Sequence, residues 1–348
     1  MRSGWARLVP SALLALAPLL HPVQGRAAPL TAPDVSALDR LCRATAREAP
    51  SHLAIEIAAG ALREHQAFGG HVIDRTGRLL RFGATETDTG RPGSPTPWRQ
   101  VLRYWESLGS VAANPLSVRR EPGRIASPDA SATPDNLPLS DLLERAGRGM
   151  AAPEREAVAQ ALMRAGMADV AWSAAFVSHV VIQAGVASSR FTASPTHVDY
   201  VTEAAKRAVA DVIGAGSSSF YRACDPWRTR ARAGDLLCLH RHPSEGLPSG
   251  APLFAALIGA YAAGERRIVN LHCDIVTARD AGSRTMTVVG GNVLNSVAKR
   301  DLPLSRSGAL AVGSRSAGAC FEDREPGTLC RPEAGPWFVL LQAATDAR

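Results

Sequence analysis

The sequence predicts an α+β fold, and three observations carry that expectation. Helical periodicity occupies much of 35–70 and 139–213. Strand-like runs then crowd the chain from Asp235 onward, and a turn signal at Asp280–Ser283 joins two of them into a hairpin. Helices first and antiparallel strands afterwards is the α+β order. With 348 residues, 46% of them hydrophobic and 20% charged, the chain is long enough to bury a full core. The balance excludes a collagen-like, wholly disordered or coiled-coil chain.

The elements follow in order. Residues 1–27 read as a signal peptide. Arg2 and Arg7 precede an apolar stretch from Leu8 to Leu20, too short to span a bilayer, and Pro10, Pro18 and Pro22 make a stable helix poor. Val23 and Gly25 fit a cleavage site, with a cut after Ala27 as the other option. The expected location is therefore periplasmic or secreted, with no transmembrane span once the signal is removed. Residues 28–148 form a helical amino-terminal segment with an irregular connection. Leu38, Leu41 and Cys42, then Leu53, Ile55, Ile57 and Leu62, supply apolar positions on either side of Pro50, so 35–70 reads as helix, ended by Phe68-Gly69-Gly70. A strand-like piece spans His71–Phe82, and Thr85–Pro138 is Pro- and Gly-rich around a helix at Trp98–Leu108.

Residues 149–348 form the main domain. Helical periodicity at Leu139–Met167 leads into Ala171–Gly185, which is apolar on most sides and reads as a buried helix closed by Gly185. Tyr200–Ile213 is a further helix, 214–233 is turn-rich, and Leu253–Ala263 is helical. Strands are expected at Asp235–His240, Leu271–Ala278, Thr285–Val289, Ser296–Leu302 and Trp337–Gln342.

Charge and cysteine usage narrow the function classes. The formal charge of +7 is nearly all arginine, since Lys206 and Lys299 are the only lysines. These arginines are scattered among acids with no aromatic interleaving, which argues against a nucleic-acid groove and suits an anionic envelope polymer. Six cysteines on an exported chain point to disulfides. Cys320 and Cys330 flank a short polar loop and are the first expected pair. Cys238 and Cys273 lie in strand-like runs and are the second, leaving Cys42 with Cys224. No pair has the spacing of a zinc or redox site, and no cofactor is expected.

Three motifs carry candidate chemistry: Trp172-Ser173-Ala174-Ala175-Phe176-Val177, His272-Cys273-Asp274-Ile275-Val276 and Gly290-Gly291-Asn292. A nucleophile at Ser173 would open the buried helix, where free N–H groups and the helix dipole stabilise negative charge. The hairpin centred near 281–282 sets His272 opposite residue 291 or 292. Each residue also has a plainer role: Ser173 as a helix cap, His272 as a structural histidine, and Asn292 as a turn residue with positive φ.

Together with Gly234-Asp235-Leu236-Leu237, these motifs resemble the papain-like NlpC/CHAP group of cell-wall peptidases and amidases. More closely, they resemble the bacterial domain of unknown function 2272, whose members carry Trp-Ser-Ala-Ala-Phe and His-Cys-Asp. The segments Arg63–Gly70 and Tyr104-Trp105 look similar as well, so the likeness runs in pieces over roughly 50–342. It implies a papain-like core: a nucleophile-bearing helix packed on an antiparallel sheet, with Ser173 as nucleophile, His272 as base and Asn292 orienting it. The peptidases have cysteine where this chain has Ser173. A serine needs its base to take the proton during attack, and the base is better held by a carboxylate, which Asp274 could supply. Trp172 and His197 are expected to line the cleft, His197 within Ser194-Pro-Thr-His-Val-Asp-Tyr200. A metal held by His240 and His242 with His272 and Asp274 is the weaker expectation. The implied activity is hydrolysis of an amide in peptidoglycan or another envelope polymer. The alternative is a catalytically inactive module that binds the envelope.

Overall fold

The computed structural model describes residues 32–75, 77–88, 95–109, 117–119, 136–138, 143–145, 147–240, 251–265, 271–311 and 337–346. Pro50 interrupts the first helical stretch, so two helices stand where the periodicity suggests one: α1 (Ala32–Thr45) and α2 (His52–Ala67). The Ser51 side chain caps α2 by accepting from Ala54 N, and Gly69 and Gly70 leave the helix with positive φ. A short hairpin follows, β1 (His71–Ile73) and β2 (Leu79–Arg81), then α3 (Pro97–Glu106). Two short strands, β3 (Ser117–Arg119) and β4 (Asn136–Pro138), pair with each other.

The remaining elements build the site. They are α4 (Ala152–Asp169), α5 (Ser173–Gln183), α6 (His197–Val212), β5 (Tyr221–Cys224), β6 (Leu236–His240), α7 (Ala251–Ala262), β7 (Leu271–Asp280), β8 (Thr285–Val293), β9 (Ser296–Pro303) and β10 (Trp337–Ala343). The result is a mixed α+β fold with an open eight-stranded sheet of order β2-β1-β9-β8-β7-β6-β10-β5. Every pairing in it is antiparallel except β1 with β9. The amino-terminal hairpin thus extends the sheet of the carboxyl-terminal half, a parallel join that local patterning cannot foretell. The strand β5 falls in the stretch expected to be turns. It has four residues, all buried, so no alternation marks it.

The helix α5 is the centre of the packing. Residues 173–178, Val180 and Val181 are all buried, which is why this segment shows apolar residues on most sides. It packs against α2, α3, β7 and β8. Its amino-terminal half sits in an aromatic cluster: Trp172 lies 5.7 Å from Phe68 and 5.7 Å from Tyr104, and Phe176 meets Tyr104 edge-on at 5.5 Å. Two disulfides tie the layers. Cys42–Cys224 fastens α1 to β5, and Cys238–Cys273 joins directly opposed residues of β6 and β7. The expected Cys320–Cys330 pair lies outside the described residues.

Gly234 and Asp235 show what the Gly-Asp-Leu-Leu motif does locally. Gly234 has φ +85°, and a Cβ there would sit 2.3 Å from the carbonyl oxygen of Ala54 in α2. Asp235 is fully buried and accepts from the backbone N–H of Arg232 and of Ala343, each at 2.8 Å, tying the start of β6 to the end of β10. Burial raises its carboxyl to about 6.

Gly234→Ala is expected to destabilise the fold by about 2 kcal/mol or more, because it adds both a clash and a strained φ; equilibrium urea unfolding reads this directly. The double variant Cys42→Ser/Cys224→Ser is expected to lose about 2–5 kcal/mol, since the bridge closes a span of 182 residues.

Candidate active site

The nucleophile position is built by the start of α5. Trp172 is the N-cap residue and no side chain caps this helix end, so Ser173 does not serve as the cap. Its hydroxyl instead lies 2.7 Å from His197 Nε2. The first intrahelical bond runs from Phe176 N to Trp172 O, leaving the N–H groups of 173–175 outside the helical ladder. Negative charge developing beside Ser173 would therefore meet the positive end of a buried helix.

His197 opens α6, and the chain before it is tightly held. Ser178 Oγ, on α5, donates to Ser194 O and accepts from Ser194 N, both at 3.0 Å. Ser194 Oγ donates to Asp199 at 2.5 Å and accepts from Thr196 N, and Thr196 Oγ1 donates to the same carboxylate. These bonds fix the entry to α6 against α5, and so fix His197 against Ser173. One turn along α6, the Tyr200 hydroxyl meets His197 Nδ1. Burial holds the Tyr200 phenol well above its ordinary range, so it stays protonated. In the tautomer that a base at Ser173 requires, Nε2 accepts from the Ser173 hydroxyl and Nδ1 donates to the Tyr200 oxygen.

A second histidine stands beside the first. The His197 and His272 rings meet edge to face with centroids 5.4 Å apart. His272 Nε2 lies 2.8 Å from Asp274 Oδ1, both side chains being fully buried at the start of β7. The Arg300 guanidinium donates to the other carboxylate oxygen. Burial by itself would raise the Asp274 carboxyl, but Arg300 and His272 together hold it below its usual range. Asp274 is thus an anion locked between two partners.

The strand β8 approaches the His272–Asp274 pair of β7 at Gly290 and the head of α5 at Gly291 so closely that side chains do not fit. A Cβ on Gly290 would fall 1.9 Å from Asp274 Oδ1, and one on Gly291 would fall 2.5 Å from Phe176 Cβ and 2.8 Å from Trp172. Asn292 follows with φ 55°, in the irregularity that separates the Gly290 and Val293 pairings of β8 with β9.

The expected site residues therefore sort into two contacts. Ser173 is joined to His197, which the sequence suggested only as a cleft residue, and His272 is joined to Asp274. The hydroxyl of Ser173 bonds His197, and not the expected base His272, because the Ser178–Ser194 clamp brings the head of α6 onto the head of α5. Asn292 was expected to orient His272; the pairing of β7 with β8 is regular from Asp280 to Ile275 apart from one irregularity, and Asn292 itself occupies a left-handed backbone position. Trp172 is fully buried, its Nε1 donating to Glu86 at 3.3 Å. Tyr200 was expected only as the end of the Ser-x-x-His-x-x-Tyr element lining the cleft, whose spacing places His197 and Tyr200 on one helix face. Arg300 was not foreseen as a site residue and had no such signal, because it comes from another strand. Of the weaker metal expectation, His242 lies outside the described residues, and among the described residues no group of three or more His, Cys, Asp or Glu is placed to hold a metal ion.

A family model described as uncharacterised proteins conserved in bacteria (DUF2272) matches residues 144–343, more than half of the chain. The chain belongs to this family. The DUF2272 match takes in α4 to β10, with Ser173, His197, Tyr200, His272, Asp274, Asn292 and Arg300, whereas Arg63–Gly70, Glu86 and Tyr104-Trp105 lie upstream of it. No curated protein and no solved structure matches the chain. Two disulfides are compatible with an exported DUF2272 protein, and among the described residues no single helix is long and apolar enough to cross a membrane.

Glu86, which anchors Trp172, gives the site a pH dependence. Burial raises its carboxyl to about 8, so the folded state holds its proton where the unfolded chain, near 4.5, has lost it. Stability from this group is thus full below about pH 4.5 and falls as pH rises towards 8. Glu86→Gln keeps an acceptor for Trp172 and removes the titration. Its stability relative to the parent protein is expected to rise between pH 5 and pH 8 by about 1 kcal/mol or more, measured as urea midpoints at both values.

Proposed function

We propose that this protein is an exported serine hydrolase that cleaves an amide in peptidoglycan or another envelope polymer, with Ser173 as nucleophile and His197 as its base. The observation that carries the reading is the 2.7 Å contact between Ser173 Oγ and His197 Nε2 at an uncapped, buried helix start. In the reaction, Ser173 Oγ attacks the carbonyl carbon and its proton passes to His197 Nε2. The tetrahedral oxyanion is met by the N–H groups at the head of α5. His197 then gives the proton to the departing amine, and water, activated by the same imidazole, releases the acyl group from Ser173.

Tyr200 is the orienter of His197 in this scheme, in the place where many serine hydrolases use a carboxylate. Asp274, bonded to His272 beside the base, is an anion, and its charge favours the imidazolium that forms. A papain-like core of the NlpC/CHAP type is part of the proposal. It is supported by a nucleophile at the head of a helix that packs on the sheet, and by a histidine at the start of a strand. The envelope substrate rests on the same resemblance and on the export signal read from residues 1–27.

One observation favours the rival, a non-catalytic envelope-binding module: Ser173 and His197 are only 4% and 5% exposed. An active-site serine phosphonate separates the two. The mature protein is expected to take up one adduct, read by intact mass and mapped to Ser173. Ser173→Ala abolishes it, His197→Ala slows labelling about 100-fold or more, and Tyr200→Phe slows it several-fold. A protein that stays unlabelled yet is retained on purified cell wall is the binding module.

A further inference from the structure

A cavity of about 480 Å³ lies away from Ser173, between α2, α3 and the middle of α5. Its lining includes Glu64, Arg103, Tyr104, Glu106, Ser107 and His179. Glu64 and Tyr104 belong to the two upstream segments that the motif reading singled out, and the proposed chemistry uses neither.

The polar groups of this cavity are already oriented by one another. Glu64 Oε2 accepts from the Tyr104 hydroxyl at 2.6 Å and from Gln100 Nε2 at 3.2 Å. Ser107 Oγ and His179 Nδ1 lie 2.6 Å apart. His179 Nε2 is 3.9 Å from Glu64 Oε1, too long for a hydrogen bond. Arg103 is exposed and reaches Gln100 Oε1 at 2.7 Å. The lining thus carries both signs: Glu64 and Glu106 are acidic, and Arg103 is basic and acts electrostatically on Glu64.

A Ser-His-Glu array invites a second hydrolytic reading, but the electrostatics oppose it. Ser107 is the C-cap residue of α3, where the negative end of the helix disfavours an oxyanion and favours a cation. Burial and the nearby Arg103 lower the His179 imidazole to about 4, so it is neutral at pH 7 and a poor base. Burial raises the Glu64 carboxyl, a cost that a bound cation would relieve.

We infer that this cavity is a second ligand site that takes a zwitterionic amino acid or dipeptide. The ligand's ammonium sits with Glu64 and Glu106 at the end of α3, and its carboxylate with Arg103. A neutral His179 and the Tyr104 ring form the walls, and the volume suits a ligand of that size. The site also reports on α5, because Tyr104 packs 5.7 Å from Trp172, the residue before Ser173. The inference does not require Ser173 to be a nucleophile.

The test is calorimetric titration of the mature protein with three probes: Ala-Ala, N-acetyl-Ala-Ala and Ala-Ala amide. Ala-Ala is expected to bind at least about ten-fold more tightly than either blocked peptide. In Arg103→Ala the free acid and the amide should bind equally, and in Glu64→Gln the preference for the free amine over the acetylated form should fall at least several-fold. Glu106→Gln alters an exposed residue and serves if Glu64→Gln fails to fold; it should weaken Ala-Ala and leave the acetylated probe unchanged. No binding of Ala-Ala at 10 mM (about the weak limit for a specific small ligand), equal binding of all three probes, or binding that ignores these substitutions overturns the site.

Discussion

The structure depends on the approach of β8 to the head of α5 and to the His272–Asp274 pair, where Gly291 and Gly290 leave no room for a side chain. Because Gly290 and Gly291 present bare backbone, Phe176 and Trp172 seat directly on the sheet, and Asp274 and His272 rise beside them. Trp172 is then held from two further directions, by the stacked rings of Phe68 and Tyr104 and by the Glu86 carboxyl. A helix fixed in this way has its amino-terminal N–H groups fixed too. This is the preorganisation that stabilising charge at Ser173 would require.

The second constraint is the clamp between α5 and α6. The Ser178 hydroxyl gives and takes a hydrogen bond with the backbone of Ser194, so the middle of α5 and the entry to α6 share one short polar joint inside an apolar core. Buried polar bonds of this kind are costly to leave unmade, which makes the joint a strong determinant of geometry. Ser173 and His197, 24 residues apart in the chain, come within hydrogen-bond distance because of it. The polar cavity on the other side of α5 obeys the same logic: Glu64, Tyr104, Ser107 and His179 come from three helices and hold one another in place.

Much of the fold was legible in local pattern. The long strands β7, β8 and β9 and the buried helix α5 are marked by length, apolar content and Gly punctuation, and these fix an element with little help from its neighbours. Two features were not legible for definite reasons. The strand β5 is four residues long and wholly buried, so it shows no alternation. The helix expected over 35–70 becomes two because Pro50 lacks an N–H, and the restart at Ser51 depends on a cap that only the folded geometry reveals. Within the site, Ser173, His272 and Asp274 stood out through motif and register, whereas Arg300 is brought in from β9 and has no local signature.

By itself the sequence determined most of the order of elements, the helix that carries Ser173, the strands that hold Cys238 and Cys273, and the set of polar residues available for chemistry. These follow from backbone preference and hydrophobic period, which act over a few residues at a time. Only the tertiary structure decided which partner each polar group meets: Ser173 with His197, His272 with Asp274, Asp274 with Arg300, and the β1–β2 hairpin with β9. Those choices are made by packing between distant segments, where a hydroxyl or carboxylate removed from water must take the partner that the close-packed core delivers to it.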